Sequence, residues 1–182
     1  MEDKVKVFCK NLIPYLIIVI VVVLIRCFIF TPIQVDGSSM YPTLEDNEIL
    51  LLKKYDKSYD RFDIVVFDYK DSYGKNTKLI KRIIGLPGES IEYKDNKLYV
   101  NGIYVREKFI STQETYDFSL KELGYNKIPE GYYFVLGDNR TNSTDSRIIG
   151  LISKEQIDGI SDFSIFPFSR FGVVSWVLMC GL

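Results

Sequence analysis

Leu98-Tyr99-Val100-Asn101-Gly102-Ile103-Tyr104-Val105 is the stretch of this 182-residue sequence that decides its fold class. Two short runs of aliphatic and aromatic residues flank the dipeptide Asn101-Gly102. Asn and Gly both accept the positive φ angles of a type I′ turn, so this pattern is a strong hairpin signal. It predicts two antiparallel strands joined by a two-residue turn.

Further strand signals lie on both sides of this hairpin. Runs rich in Val, Ile, Leu, Phe and Tyr, bounded by turn residues, occupy residues 48–53, 63–67, 78–84 and 132–136. No long segment repeats its apolar residues every 3.6 positions. We therefore expect a mostly β domain, built as an antiparallel sheet or barrel-like, with a polar irregular stretch at residues 108–130.

The composition excludes several classes of function. With 23 Lys and Arg against 24 Asp and Glu there is no basic excess, so we expect no nucleic acid partner. The chain has no histidine, which excludes Ser-His-Asp and Cys-His catalysis and any His-ligated metal. Cys9, Cys27 and Cys180 have no CxxC spacing, so neither a disulfide framework nor a zinc site is expected.

Residues 12–30 are almost entirely apolar and predict a transmembrane anchor. At about 1.5 Å per residue they would span about 28 Å, close to the hydrocarbon thickness of a bilayer. A cleaved signal peptide would need small residues directly after the apolar run, but residues 26–30 (Arg-Cys-Phe-Ile-Phe) follow with no Ala-x-Ala-like cleavage site. A buried core helix would show a polar face, and residues 16–25 have none.

The charge pattern predicts the orientation of this anchor. Three lysines precede it, whereas residues 31–52 contain no Lys or Arg. The positive-inside rule then places residues 1–11 in the cytoplasm and residues 31–182 outside the plasma membrane. The apolar stretch 171–182 is too short to span a bilayer, and it is either a last strand or core segment or a contact with the membrane surface.

Residues 36–44 (Asp-Gly-Ser-Ser-Met-Tyr-Pro-Thr-Leu) form the first segment that could carry chemistry. Gly37 permits tight turning, and Pro42 biases the preceding residue away from helix. A serine on such a loop can expose its hydroxyl beside backbone N–H groups that would bind an oxyanion. Taken alone, a segment of this kind is a simple turn far more often than a catalytic loop.

Residues 79–89 (Leu-Ile-Lys-Arg-Ile-Ile-Gly-Leu-Pro-Gly-Glu) form the second segment. Strand alternation places Lys81 and Arg82 on opposite faces, each among aliphatic side chains. One interpretation is two snorkelling cations on an edge strand. The other is a desolvated lysine, whose pKa would fall from about 10.4 to about 7.5 at a cost of about 4 kcal/mol. A neutral lysine can deprotonate a serine hydroxyl.

Residues 137–147 (Gly-Asp-Asn-Arg-Thr-Asn-Ser-Thr-Asp-Ser-Arg) form the third segment. Two carboxylates and two guanidiniums can neutralise one another in a tight loop. The arginines oppose a cation, so we expect no metal here. Asn139 and Asn142 each begin an Asn-x-Thr glycosylation sequon, which we interpret as a chance match.

In this order, and behind an apolar segment, the three segments and the strand at 63–67 resemble the four conserved boxes of the type I signal peptidase (leader peptidase) family. The resemblance covers most of the chain and is strongest to the short Gram-positive type. It implies that Ser39 is the nucleophile, that Ser38 is not, and that Lys81 is the general base. Ser143 would hydrogen-bond Lys81 and orient it.

The resemblance also implies roles around this dyad. Asp145 with Arg147 and Arg82, and Asp138 nearby, would form structural ion pairs. Shallow apolar pockets for small substrate residues would be lined by Ile33, Val35, Leu44 and Ile80. Substrates would dock as an extended strand, and no metal or cofactor is implied. Gly37 stands where some family members carry a serine that helps to bind the oxyanion, so that side-chain donor is absent.

The sequence thus predicts a membrane-bound serine endopeptidase with a Ser-Lys dyad, which removes signal peptides from exported preproteins by cutting after small residues. A self-cleaving Ser-Lys protease of the repressor type would want a nucleic-acid-binding half where the apolar segment lies. The other alternative is a catalytically inactive, membrane-anchored β domain that binds or assembles partners. A pure binding module has no reason to keep Ser39, Lys81 and Ser143 together.

Overall fold

The computed structural model describes residues 11–23, 29–55, 57–71, 73–110 and 115–174, which are mostly antiparallel β structure. A helix, α1, covers residues 11–23. The strands are β1 (Phe30–Gln34), β2 (Ile49–Lys53), β3 (Ile64–Lys70), β4 (Asn76–Gly85), β5 (Ile91–Lys94), β6 (Lys97–Val100), β7 (Ile103–Val105), β8 (Phe118–Ser119), β9 (Tyr132–Leu136), β10 (Ile152–Ser153), β11 (Ile157–Phe166) and β12 (Gly172–Val173). A short helix, α2 (Ser146–Ile149), follows β9, and 3-10 turns occupy Leu120–Leu123, Lys154–Gln156 and Phe168–Arg170.

The larger sheet has the order β1-β2-β11-β3-β4-β9-β10, with β12 paired to β11. Strand β4 pairs with β3 along residues 76–82 and with β9 only from Arg82 onward, so its second half lies inside the sheet. Lys81 and Arg82 of β4 are each only 2% exposed. The alternative of two cations snorkelling from an edge strand is therefore wrong.

The smaller sheet has the order β7-β6-β5-β8 and contains the predicted hairpin. Strands β6 and β7 pair antiparallel, and the turn residues Asn101 and Gly102 have φ angles of 51° and 77°. The irregular stretch predicted at 108–130 contains β8 and one 3-10 turn. The expectation of an antiparallel, mostly β domain is confirmed.

Three clusters of buried apolar side chains fill the fold, and β4 contributes to all of them. Ile80 belongs to the cluster beneath β1 and β2, together with Met40. Ile83 packs with β3 and β9, and Ile84 packs with the small sheet. Because one strand reaches all three clusters, the side chains of β4 between them are held rigidly and kept from water.

The two ends of the chain are only partly described. Helix α1 covers part of the predicted anchor, residues 24–28 lie outside the described residues, and Phe30 already begins β1. Among the helices that are described, none is both long and apolar enough to cross a bilayer. At the other end β12 pairs with β11, and residues 175–182 lie outside the described part.

Gly159 offers a test of the sheet packing. A Cβ at this position would collide with the carbonyl oxygen of Lys53 on β2 and lie 2.9 Å from its carbonyl carbon. We expect Gly159→Ala to lower the free energy of unfolding by about 1–3 kcal/mol, because backbone atoms cannot turn aside as a side chain can. The measurement is urea unfolding, with the exposed Lys97→Ala as a control that changes stability by less than about 0.5 kcal/mol. Equal stabilities of the two variants would contradict this packing.

Candidate active site

The loop between β1 and β2 presents Ser39. Gly37 has a φ of 84°, a left-handed conformation that favours glycine, and its N–H donates to Asp46 Oδ1 at 2.8 Å. The Tyr41 N–H closes a turn on the Ser38 carbonyl at 3.1 Å. Ser39 lies at the apex of this turn, and its own N–H has no hydrogen-bond acceptor among the described residues. The Ser39 N–H is therefore available to a ligand.

Lys81 reaches Ser39 from the middle of β4. Its Nζ donates to Ser39 Oγ at 2.8 Å and to the Ile80 carbonyl oxygen at 2.8 Å. These contacts fix the amine against the serine hydroxyl. The distance lies within the range expected for a nucleophile and its general base.

The surroundings of Lys81 favour its neutral form. Burial lowers the pKa of the Lys81 amine from 10.5 to about 8, because the ammonium form is poorly solvated inside the protein. The carboxylates of Asp145 and Asp138 act in the opposite direction and raise this pKa. Desolvation is the larger effect, so a substantial fraction of the amine is uncharged in mildly alkaline solution.

Arg82, the neighbour of Lys81, forms a buried ion pair with Asp138. Its Nε and Nη2 donate to the two carboxylate oxygens at 2.9 and 2.6 Å, and its Nη1 donates to the Phe62 carbonyl at 2.8 Å. The guanidinium also lies over the Phe109 ring, 4.1 Å from its centroid. The sequence reasoning expected Arg82 to pair with Asp145, and the structure pairs it with Asp138 instead.

Asp145 holds the loop 137–147 in shape. It caps α2 and pairs with Arg147, whose Nε and Nη2 donate to the carboxylate oxygens at 2.9 and 2.8 Å. The Gly137 N–H donates to the same carboxylate at 3.1 Å. Both ends of the loop are thus tied to one buried acid.

Ser143 lies close to the serine loop. A Cβ on Gly137 would collide with Ser143 Oγ and stand 2.5 Å from the Ser39 carbonyl oxygen, so glycine is required where these elements meet. Ser143 Oγ is buried and has no hydrogen-bond partner among the described residues. Its role in orienting Lys81 stays a prediction.

The four aliphatic residues expected to line substrate pockets lie together. Ile33, Val35, Leu44 and Ile80 all belong to the core cluster that contains Met40. Leu44 has no exposed surface, Val35 and Ile80 are 3% and 8% exposed, and Ile33 is partly buried. Their role in binding substrate stays a prediction.

Two further features of this site were missed by the sequence reasoning. Asn139 and Asn142 donate hydrogen bonds to Ser38, although the sequence marked them only as chance sequons. Arg140 is buried and paired with Glu107, so the loop is also fastened to the small sheet. Nothing in the spacing of these residues signals either contact.

The arrangement supports acyl transfer through a serine. A hydroxyl, a buried amine and an unpartnered N–H converge at Ser39, as a nucleophile, base and oxyanion donor must. Within the described ranges, no group of three or more Cys, Asp or Glu side chains is placed to hold a metal ion.

Comparisons with known proteins identify one family. A model described as signal peptidase, peptidase S26, matches residues 9–166. Signal peptidase I S of Bacillus subtilis is 43% identical over 164 residues, 85% of this chain and 86% of that protein. Signal peptidase I of Bacillus caldolyticus is 42% identical over 172 residues, 87% of this chain and 91% of that one. A solved signal peptidase I from Enterococcus faecalis is 39% identical, covers 57% of this chain and 96% of its own, and has a TM-score of 0.50.

We expect the burial of the Lys81 amine to lower the free energy of unfolding of the protein. Lys81→Met keeps the length of the side chain and removes its charge, so we expect the free energy of unfolding at pH 7 to rise by about 1–3 kcal/mol. Because the folded-state pKa lies below the unfolded value of 10.5, the penalty in the parent protein is full below pH 8 and disappears as pH rises through 10.5. Chemical unfolding of both proteins at pH 7 and pH 10.5 measures this. A variant less stable than its parent at pH 7 would contradict the account.

Proposed function

Because the chain belongs to the signal peptidase family, peptidase S26, we propose that it is a serine endopeptidase that removes signal peptides from exported preproteins. The observation that carries the proposal is the 2.8 Å contact between Ser39 Oγ and the buried Nζ of Lys81. No other acid–base group has to be invoked, and no histidine exists to replace the amine.

The reaction follows from this contact. The neutral Lys81 amine takes the hydroxyl proton as Ser39 Oγ attacks the scissile carbonyl, and the Ser39 N–H stabilises the resulting oxyanion. Lys81 then gives the proton to the nitrogen of the scissile peptide bond. The C–N bond breaks, the amine departs, and an ester remains on Ser39. Water, deprotonated by the same amine, hydrolyses the ester and restores the enzyme.

The unpaired edge of β4 supports docking of the substrate as an extended strand. Strand β9 pairs with β4 only from Arg82 onward, so in the described chain residues 76–81 pair on one side alone, with β3. An extended peptide can add to such an edge through main-chain hydrogen bonds. Ile80 and Ile33 would then offer shallow apolar contacts that admit small residues before the scissile bond.

The apolar N-terminal segment supports attachment to the membrane. The described side chains of α1 are exposed and, apart from Asn11 and Tyr15, aliphatic, as those of a lipid-facing helix mostly are. In the proposed arrangement the apolar segment that begins at residue 12 crosses the plasma membrane once and ends before β1, with residues 1–11 in the cytoplasm and the catalytic domain outside. Confinement to the membrane raises the encounter rate with preproteins that emerge at the same surface.

The direct test is substitution of the dyad. Ser39→Ala and Lys81→Ala should each lower cleavage of a preprotein by at least about a thousandfold, because one removes the nucleophile and the other its base. Ser38→Ala should retain cleavage, since the Lys81 amine contacts the neighbouring hydroxyl. Release of the mature protein by detergent-solubilised enzyme is the measurement. Substantial cleavage by Ser39→Ala would refute the mechanism, and an inactive parent would favour the binding-domain alternative.

The pH dependence tests the role of the amine. Since only neutral Lys81 is a base, kcat/KM should rise about tenfold per pH unit below pH 8 and level off above it. A fluorogenic peptide that spans a cleavage site gives the profile from pH 5.5 to 9.5. A rate that is already constant from pH 6 upward would exclude a base whose pKa is about 8.

A further inference from the structure

The loop that carries Ser39 is hydrogen-bonded to two asparagines of the loop 137–147, Asn139 and Asn142. The Asn139 backbone N–H donates to the Ser39 carbonyl at 3.0 Å, and its side-chain Nδ2 donates to the Ser38 carbonyl at 3.0 Å. One residue thus holds two consecutive carbonyls of the turn. Asn142 adds a third contact, from its Nδ2 to Ser38 Oγ at 3.2 Å.

These two carbonyls fix the peptide planes on both sides of Ser39. The Ser38 carbonyl and the Ser39 N–H belong to the same peptide group, which is planar and trans, so they point in opposite directions. Holding the carbonyl toward Asn139 therefore aims the Ser39 N–H away from Asn139, into the open side of the turn. That N–H is the group with no acceptor among the described residues.

The contacts of Asn139 with the serine loop also form part of a closed ring of contacts that includes Ser39 and Lys81. Asn139 follows Asp138, which is paired with Arg82, and Arg82 follows Lys81. The 2.8 Å contact of Lys81 with Ser39 completes the ring. Successive residues of this ring are joined either by a hydrogen bond of 3.0 Å or less or by the chain itself. The Lys81 amine, the Ser39 hydroxyl and the Ser39 N–H are therefore positioned by one set of contacts. Small displacements of reacting groups cost large factors in rate.

We infer that Asn139 is a positioning residue that orients the Ser39 N–H toward the oxyanion, and that Asn142 braces the same turn through the Ser38 hydroxyl. The inference rests on the proposed function and adds to it the residue that presets its oxyanion donor. An asparagine suits this task because it supplies an amide donor for the Ser38 carbonyl. Aspartate has the same shape but would set an anionic oxygen against that carbonyl.

Asn139→Asp is the central variant, in the full-length enzyme with a fluorogenic cleavage-site peptide. We expect kcat to fall at least tenfold with KM within twofold, because the lost contact acts on the transition state. Asn139→Ala, which removes the amide donor without adding a charge near Lys81, should also lower kcat, with a pH–rate midpoint that stays near 8 since Lys81 remains buried. Asn139→Gln, which keeps an amide donor, should recover part of the loss. The matched control is Asn126→Asp, an exposed asparagine outside the site given the same new charge, with kcat within twofold of the parent.

Several results would overturn the inference. A kcat for Asn139→Asp within twofold of the parent would do so, and so would a shift of the pH midpoint toward 10.5 in the uncharged Asn139→Ala, which would show that Lys81 had been exposed to water. Ser39→Ala, assayed alongside, keeps the two proposals apart. If Ser39→Ala is inactive while Asn139→Asp is fully active, only the positioning role fails. If Ser39→Ala cleaves, the proposed function itself fails.

The brace by Asn142 has an independent test that does not depend on Asn139. Asn142→Ala and Ser38→Ala should each lower kcat about threefold, and the double variant should be no slower than either single variant, because both remove one hydrogen bond. Effects that multiply in the double variant would show that the two residues act separately, and would overturn this part of the inference.

Discussion

The site depends on the burial of the Lys81 amine away from water. Lys81 lies on β4, whose side chains reach three apolar clusters, and the burial of the amine is what lowers its pKa to about 8. Two carboxylates, those of Asp145 and Asp138, oppose this effect and raise the pKa. Each is engaged by an arginine, Asp138 by Arg82 and Asp145 by Arg147, which limits how strongly they favour the ammonium form. The ion pairs therefore help to keep the Lys81 amine in its neutral form, and they also hold the shape of the site.

The small sheet supports the site from behind. Arg140 of the loop 137–147 donates to Glu107 and Thr115, and to the hydroxyl of Tyr93 on β5. A buried ion pair of this kind adds little net stability, because desolvation offsets the attraction. What it supplies is a defined position, since either charge left alone would be costly. The loop cannot move without breaking that pair.

The sequence predicted the elements of this structure better than their contacts. The strands at 132–136 and around Asn101-Gly102 follow from local signals, so they were predicted closely. The dyad positions came from the resemblance, and the structure brings Ser39 and Lys81 together. The partner of Arg82 was assigned to Asp145 and proved to be Asp138, because pairing among charges in one loop is decided by tertiary packing. The contacts of Asn139 could not be predicted, since a main-chain carbonyl leaves no trace in the spacing of side chains.

The segment of β4 that pairs on one side only, residues 76–81, suggests how one enzyme can accept many preproteins of unrelated sequence. A strand edge reads the repeating amide groups that every polypeptide shares, and it is indifferent to most side chains. If substrates dock as proposed, discrimination falls to steric exclusion at the few positions that would face Ile33 and Ile80. Such recognition tolerates wide variation in leader sequences, and it makes competitive inhibition a matter of backbone mimicry more than of side-chain chemistry.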